Sequence, residues 1–236
     1  MRELISELNI KINTHSSIRI AEASKVFYFD PFELRGKFND ADYIFITHDH
    51  YDHLDPKSIA NAKNNNTKFI CSGTVTKSLS GDAGIRDLAK IIQTKAGDEV
   101  ELEKGISVKA IPAYNVNKPF HQKGFNWLGY LLNVNGKTFY VAGDTDATDE
   151  AKSVKCDVAL VPIGGTYTMD YKQAASFINE IKPKVVIPTH YGNVVGEYEL
   201  GKKFIALIDK SIEAVEIITK EIRIDNRKGE ENEVIF

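Results

Sequence analysis

Cysteine is scarce in this chain: Cys71 and Cys156 are the only two in 236 residues. That count excludes a disulfide framework. Both lie at or beside apolar, strand-like runs and read as buried free thiols. Basic charge is not in excess either. Thirty Lys and Arg stand against 33 Asp and Glu, a formal charge of −3, which gives no footprint for nonspecific nucleic-acid binding. No apolar run approaches the roughly 20 residues of a membrane-spanning helix, so no membrane partner is expected. Met1 to Glu7 is too charged for a secretory signal, which makes the cytoplasm the expected location. There is no phosphate-binding Gly-x-x-x-x-Gly-Lys loop and no Gly-x-Gly-x-x-Gly, so nucleotide-cofactor chemistry has no support.

What is present is ordinary for a soluble globular protein: 42% hydrophobic and 27% charged residues, in a length that suits one domain spanning 1–236. Strand signals are frequent. Val26 to Phe29 precedes Asp30-Pro31, Lys68 to Cys71 precedes Ser72-Gly73, and Ile106 to Ile111 stops at Pro112. Val158 to Val161 stops at Pro162 and Val185 to Ile187 at Pro188. Such β-branched and aromatic runs bounded by Pro or Gly read as strands. Asn135-Gly136 between Leu128–Val134 and Lys137–Val141 predicts a hairpin with a type I′ turn. Tyr171 to Ile181 places Ala174, Phe177, Ile178 and Ile181 on one helical face, with Asp170 as N-cap. Further helices are expected over Pro56–Lys63, with Asp55 as cap, and over Glu197–Ile208. The first half therefore reads as strand-rich with one helix, the second as alternating helix and strand, and the whole as an α/β fold. The tail from Glu221 reads as a charged surface hairpin or frayed end.

The informative residues are the histidines. Three of six fall in His48-Asp49-His50-Tyr51-Asp52-His53, directly after the apolar run Tyr43 to Thr47. Imidazole nitrogen and carboxylate oxygen are the donors that a borderline divalent ion such as Zn²⁺ takes. In extended chain, residues two apart point the same way, so His48 and His50 can converge on one ion. Asp52 and His53, beyond a turn, can face a second. Gly143-Asp144-Thr145-Asp146 follows the strand Thr138 to Val141, and Pro188-Thr189-His190-Tyr191-Gly192 follows Val185 to Ile187. Three strand ends carrying ligand-type residues imply a shared rim.

This pattern resembles the metallo-β-lactamase superfamily of metal-dependent hydrolases, over most of the chain and in the right order. Within it, Thr14-His15-Ser16-Ser17-Ile18-Arg19-Ile20, Asp30-Pro31-Phe32 and Pro162 to Met169 are similar to small bacterial and archaeal hydrolases related to ascorbate-6-phosphate lactonase. The resemblance implies an αββα sandwich, with two mixed sheets inside, helices outside and metals at one sheet edge. It implies one ion on His48, His50 and a third histidine, another on Asp52, His53 and His190, and Asp144 bridging both. Many relatives carry the third histidine just after a mid-chain strand. Here that stretch reads Ile111-Pro112-Ala113-Tyr114-Asn115, so His121 is assigned the role by a loop that folds back. The competing readings give His121 a substrate contact beside a single-metal site, or a place on the surface. His15 is taken to orient a ligand.

The expected function is a metal-dependent, dinuclear hydrolase of a small ester, lactone or phosphoester. Two Zn²⁺ are expected, with Mn²⁺, Ni²⁺ or Fe²⁺ as alternatives. A metal-bound hydroxide is available near neutral pH, and Asp52 orients it and passes its proton on. Tyr114, Asn115, Lys118, Trp127, Tyr167 and Tyr191 are candidate substrate contacts, and Lys118 with Lys123 would suit an anionic small molecule. The alternatives are a phosphodiesterase or nuclease of the same superfamily and a catalytically silent metal-binding protein. Composition leaves a homo-oligomer open.

Overall fold

The structure is a computed structural model that describes residues 8–81 and 83–217. Its strands form two sheets in simple sequential order. The first is built from β1 (Ile10–Ile12), β2 (Ile18–Glu22), β3 (Lys25–Phe29), β4 (Ala41–Ile46), β5 (Lys63–Ser72) and β6 (Ile91–Thr94). The second holds β7 (Glu99–Glu103), β8 (Ile106–Pro112), β9 (Leu128–Val134), β10 (Lys137–Val141), β11 (Val158–Pro162), β12 (Val185–Thr189) and β13 (Glu213–Ala214). Each sheet is mixed. β1 to β3 pair antiparallel and β3 to β6 parallel, while β7 to β10 pair antiparallel and β10 to β13 parallel. Among the described residues the helices are α1 (Pro56–Ala62), α2 (Gly73–Gly81), α3 (Asp149–Lys152), α4 (Tyr171–Ile181) and α5 (Glu199–Ile205).

The apolar runs are continuous because both faces of these strands are covered. Phe27, Phe29, Tyr43 and Phe45 face the second sheet and pack with Tyr130, Leu132 and Val141. Their neighbours Tyr28, Ile44 and Ile46 point the other way, onto Ile59, Val75 and Leu79 of α1 and α2. Outside the second sheet, α4 buries Ala174, Phe177, Ile178 and Ile181, as its periodicity predicts. Asp170 caps it within a full capping box completed by Gln173, an arrangement that satisfies two otherwise unpaired N–H groups. The Asn135-Gly136 hairpin forms in the expected register, with both residues at positive φ (50° and 89°). The expected strands and the helices at Pro56 and Tyr171 are present, and the Glu197–Ile208 helix is shorter, at Glu199–Ile205. Gly201 sits inside it because a Cβ there would come within 2.6 Å of the Tyr191 hydroxyl.

One expectation needs correcting. Among the described residues the first half holds two α-helices, since α2 was not foreseen. Its Gly, Thr and Ser content gives weak helix propensity, and burial of Val75 and Leu79, one turn apart, fixes it instead. The two cysteines are free, Cys71 buried and Cys156 partly so. The tail from Glu221 lies outside the described residues. Among those residues no helix is long and apolar enough to cross a membrane.

Candidate metal centre

The parallel strands deliver their ends to one rim. Asp30 follows β3, Thr47 and His48 follow β4, Asp144 follows β10, and His190 follows β12. His15 sits in the short connection between β1 and β2, and its carbonyl accepts the His190 N–H at 3.0 Å. The sheets are joined just beneath the rim. The Leu128 N–H reaches the Thr47 carbonyl at 3.1 Å, and the Tyr130 hydroxyl donates to the Ile46 carbonyl at 3.1 Å.

All six histidines of the chain meet here. His48, His50 and His121 form one group of donor atoms within 4.8 Å of one another, and His15, Asp52, His53 and His190 form another. Asp144 stands between them. Its Oδ2 lies 3.0 Å from His190 Nε2, 3.3 Å from His121 Nε2 and 3.9 Å from His48 Nε2, and its Oδ1 lies 3.4 Å from His53 Nε2. Asp52 Oδ2 is 3.6 Å from His53 Nε2 and 3.8 Å from His190 Nε2. Asp49, within the same motif, turns aside and accepts a hydrogen bond from Ser78 of α2.

His121 is carried to the rim by the 113–127 loop. Asn115 N–H bonds the His121 carbonyl at 2.8 Å and closes the turn. Asp146, two residues past Asp144, accepts from Val116 N–H at 2.8 Å and from the Lys118 ammonium at 2.5 Å. The strand end that supplies Asp144 thus also pins the loop that supplies His121. Trp127 backs the first group, its ring 4.8 Å from those of His48 and His50 and 5.2 Å from that of His121.

Asp30 supports the cluster from beneath, a role the sequence reading did not give it. It is fully buried. Its Oδ2 accepts from Thr47 Oγ1 at 2.6 Å and from His53 Nδ1 at 2.8 Å, and its Oδ1 accepts from Thr47 N–H at 2.8 Å. Thr47 Oγ1, having given its proton to Asp30, accepts from His48 Nδ1 at 3.0 Å. One carboxylate therefore keeps a proton on Nδ1 of both His48 and His53 and turns both Nε2 atoms towards the cluster. The available signal was its place at a strand end, the same logic that singled out Asp144.

The electrostatics follow from burial and crowding. Burial alone would lower the His53 pKa, but the carboxylates of Asp144, Asp30 and Asp52 outweigh it and raise it to about 9. Burial and the neighbouring His190 push His15 down to about 4, and burial with His53 holds His48 well below its usual value. Burial would raise both rim carboxylates. His190 and His53 nevertheless keep Asp144 well below the usual range, and the His15 hydrogen bond brings Asp52 to about 2.

Whether a divalent cation fits can be judged from what is left unpaired. His53 Nε2, His121 Nε2, both ring nitrogens of His190 and Asp144 Oδ1 are buried without a hydrogen-bond partner. A buried polar atom without a well-aligned partner costs about 1–3 kcal/mol, and here several such nitrogens face the one Asp144 carboxylate. Imidazole nitrogens and carboxylate oxygens converging on one buried spot are the donor set that Zn²⁺ or a similar ion takes.

The remaining candidates fall elsewhere. His15 Nε2 donates to Asp52 Oδ2 at 3.1 Å and so orients that carboxylate. Asn115 braces the loop, giving its amide to the Tyr167 carbonyl at 2.7 Å. Tyr114 donates to Glu150 at 2.8 Å beneath the Lys123 ammonium. Tyr191 is buried against α5. None of Tyr114, Asn115, Lys118 and Tyr191 lines the cavity over the cluster, whereas Tyr167 does. The two lysines expected to meet an anionic substrate have protein partners. Lys118 pairs with Asp146 and the Thr168 carbonyl, and Lys123 with Glu150 at 2.7 Å, and neither lines the cavity over the cluster.

Two mixed sheets between helices, with a His/Asp rim at one edge, define the metallo-β-lactamase fold. A family profile described as a β-lactamase superfamily domain matches residues 9–191, and the chain belongs to this superfamily, among its metal-dependent hydrolases. It is 30% identical over 230 residues to a UPF0173 metal-dependent hydrolase of Nanoarchaeum equitans, covering 92% of this chain and 100% of that protein. It is 32% identical to one from Anaeromyxobacter dehalogenans over 67% of this chain, a match spanning 62% of that longer protein. A crystal structure from Parabacteroides distasonis, assigned as a metal-dependent hydrolase, superposes with a TM-score of 0.75 at 30% identity. That match covers 90% of this chain and 94% of the other.

Proposed function

We propose that this hydrolase is dinuclear, that zinc is its metal, and that it cleaves a small ester, lactone or phosphoester. His48, His50 and His121 would hold one ion, Asp52, His53 and His190 the other, and Asp144 would bridge them. The observation that carries this reading is the pair of donor groups flanking Asp144, which together use every histidine in the chain. Ions bound there would lower the pKa of a coordinated water towards neutrality and polarise the substrate's carbonyl or phosphoryl oxygen.

The chain's own part is positioning and proton handling. Asp30 and Thr47 hold His48 and His53 in the donor tautomer. His15 holds Asp52 ionised and aimed into the cluster, where it orients the attacking water and passes its proton to the leaving oxygen. Trp127 and the sheet ends keep bulk water from the buried side of the rim, which strengthens every charge interaction there.

The test is metal analysis of protein purified without chelator, combined with a hydrolase screen that includes Asp52→Ala. About two zinc ions per chain, and Asp52-dependent hydrolysis, are expected. One ion per chain would overturn the dinuclear assignment, and full activity in Asp52→Ala would overturn the role given to that carboxylate.

A further inference from the structure

Above the cluster lies a cavity of about 510 Å³. Apart from the donor residues, its walls are Tyr51, Phe120, Tyr167, Val194 and Val195. No lysine or arginine lines it among the described residues. From this wall we infer that the substrate is an uncharged carboxylic ester or lactone carrying an apolar chain, rather than a phosphoester. The inference rests on the hydrolase reading of the site and narrows its substrate class.

Three observations support it. First, the wall is apolar where it meets solvent. Tyr51, Phe120 and Tyr167 are 68%, 40% and 38% exposed, a grouping of large rings that soluble surfaces normally avoid unless something binds there. Second, the wall is already formed. Phe120 and Tyr167 pack edge to face with ring centroids 4.8 Å apart, and the Asn115 amide locks their loops together through the Tyr167 carbonyl. Phe120 immediately precedes His121, so the wall begins one residue from the reacting centre. Third, the cations that would favour an anion stand away from the cavity: Lys118 and Lys123 do not line it and pair with Asp146 and Glu150. Ions in the cluster could reach one or two oxygens of a phosphoryl group. The third anionic oxygen of a phosphomonoester would face aromatic carbon with no guanidinium or ammonium to replace its water. An ester places only one developing charge at the ions and sets its chain against the rings. Hydrolysis then forms one C–O bond from water and breaks the acyl C–O bond, and the water's proton ends on the departing alkoxide.

The experiment uses the metal-loaded enzyme and probes that share one leaving group: p-nitrophenyl acetate, p-nitrophenyl octanoate, p-nitrophenyl phosphate and bis(p-nitrophenyl) phosphate. The expected result is a higher kcat/KM for the carboxylic esters than for either phosphate, and for octanoate over acetate. Phe120→Ala and Tyr167→Ala should each shrink the octanoate-to-acetate ratio by about tenfold, at unchanged metal content, with Phe120→Leu restoring most of it. Asp52-dependent cleavage that favours either phosphate would overturn the substrate class while leaving the hydrolase reading intact. An octanoate preference untouched in both alanine variants would overturn the role of the wall. No Asp52-dependent turnover of any probe would count against the hydrolase reading itself, and this inference would fall with it.

Discussion

Removing the metal should expose a dependence of stability on pH that the loaded protein lacks. His53 is the group responsible. In the metal-free fold its pKa is raised from 6.5 to about 9, because Asp144, Asp30 and Asp52 outweigh its burial. A raised folded-state pKa contributes stability that is fully present below pH 6.5 and is lost as pH rises through 9. The shift corresponds to about 3 kcal/mol, or roughly 6–12 °C in Tm for a chain of this size. The other shifted histidines act in a different window. His15, at about 4, His48 and His50 are all lowered by burial. Their contributions are complete above pH 6.5 and are lost only on acidification. Chelator-treated protein should therefore be most stable near pH 6.5 and lose about 3 kcal/mol towards pH 9, measured by urea unfolding at half-unit intervals. With metal on His53 Nε2 in place of the proton, the alkaline slope should vanish. A flat profile for the metal-free protein between pH 6.5 and 9, or an equal slope in the loaded protein, would refute the argument.

Other consequences are as direct. Asp30→Asn keeps the shape but removes the charge that sets two tautomers. Metal affinity should fall about 10- to 100-fold, measured by competition with a chromogenic chelator. His121→Ala should leave the fold intact, because Asp146 and the Asn115 N–H to residue-121 carbonyl bond hold the loop without the imidazole, and should lower bound metal from about two ions to about one by elemental analysis. Gly164→Ala should cost about 1–3 kcal/mol, because its Cβ would lie 2.3 Å from the His190 carbonyl oxygen. Tm and metal retention should fall together.

The sheets were legible because their strands are buried on both faces and stop at Pro or Gly, which leaves apolar runs such as Tyr43 to Ile46 with sharp ends. Helix α4 was legible because periodicity and capping agree. By contrast α2 reads as loop until Val75 and Leu79 are seen packing under β5. The short β1 and β2 likewise gain definition only through their partners. In the site, His48 to His53, Asp144 and His190 stood out because residue type and strand-end position coincided. His121 could be named but not placed, since what places it is Asp146, 25 or more positions away in the chain. Lys118 and Tyr114 looked free for a substrate for the same reason in reverse. Their partners Asp146, Thr168 and Glu150 are distant in sequence, and pairing of that kind leaves no local trace.

The backbone at the rim ties these features together. His15, Asp30, His121 and His190 all adopt left-handed conformations, with φ of 52°, 45°, 46° and 56°. Each costs a non-glycine residue about 1 kcal/mol or more. Three of the four follow directly on a strand or close a tight turn, where an abrupt change of direction swings the side chain across the edge instead of along it. The same residues carry most of the buried ring nitrogens that find no partner. Strain and missing hydrogen bonds therefore coincide where the donor groups converge, and the two-sheet core beneath holds them there. A rim of this kind is poorly satisfied as protein alone and well matched to a bound cation. Metal binding and local ordering of the edge should thus be one event, with the Asp146-anchored loop and the His190 turn tightening together.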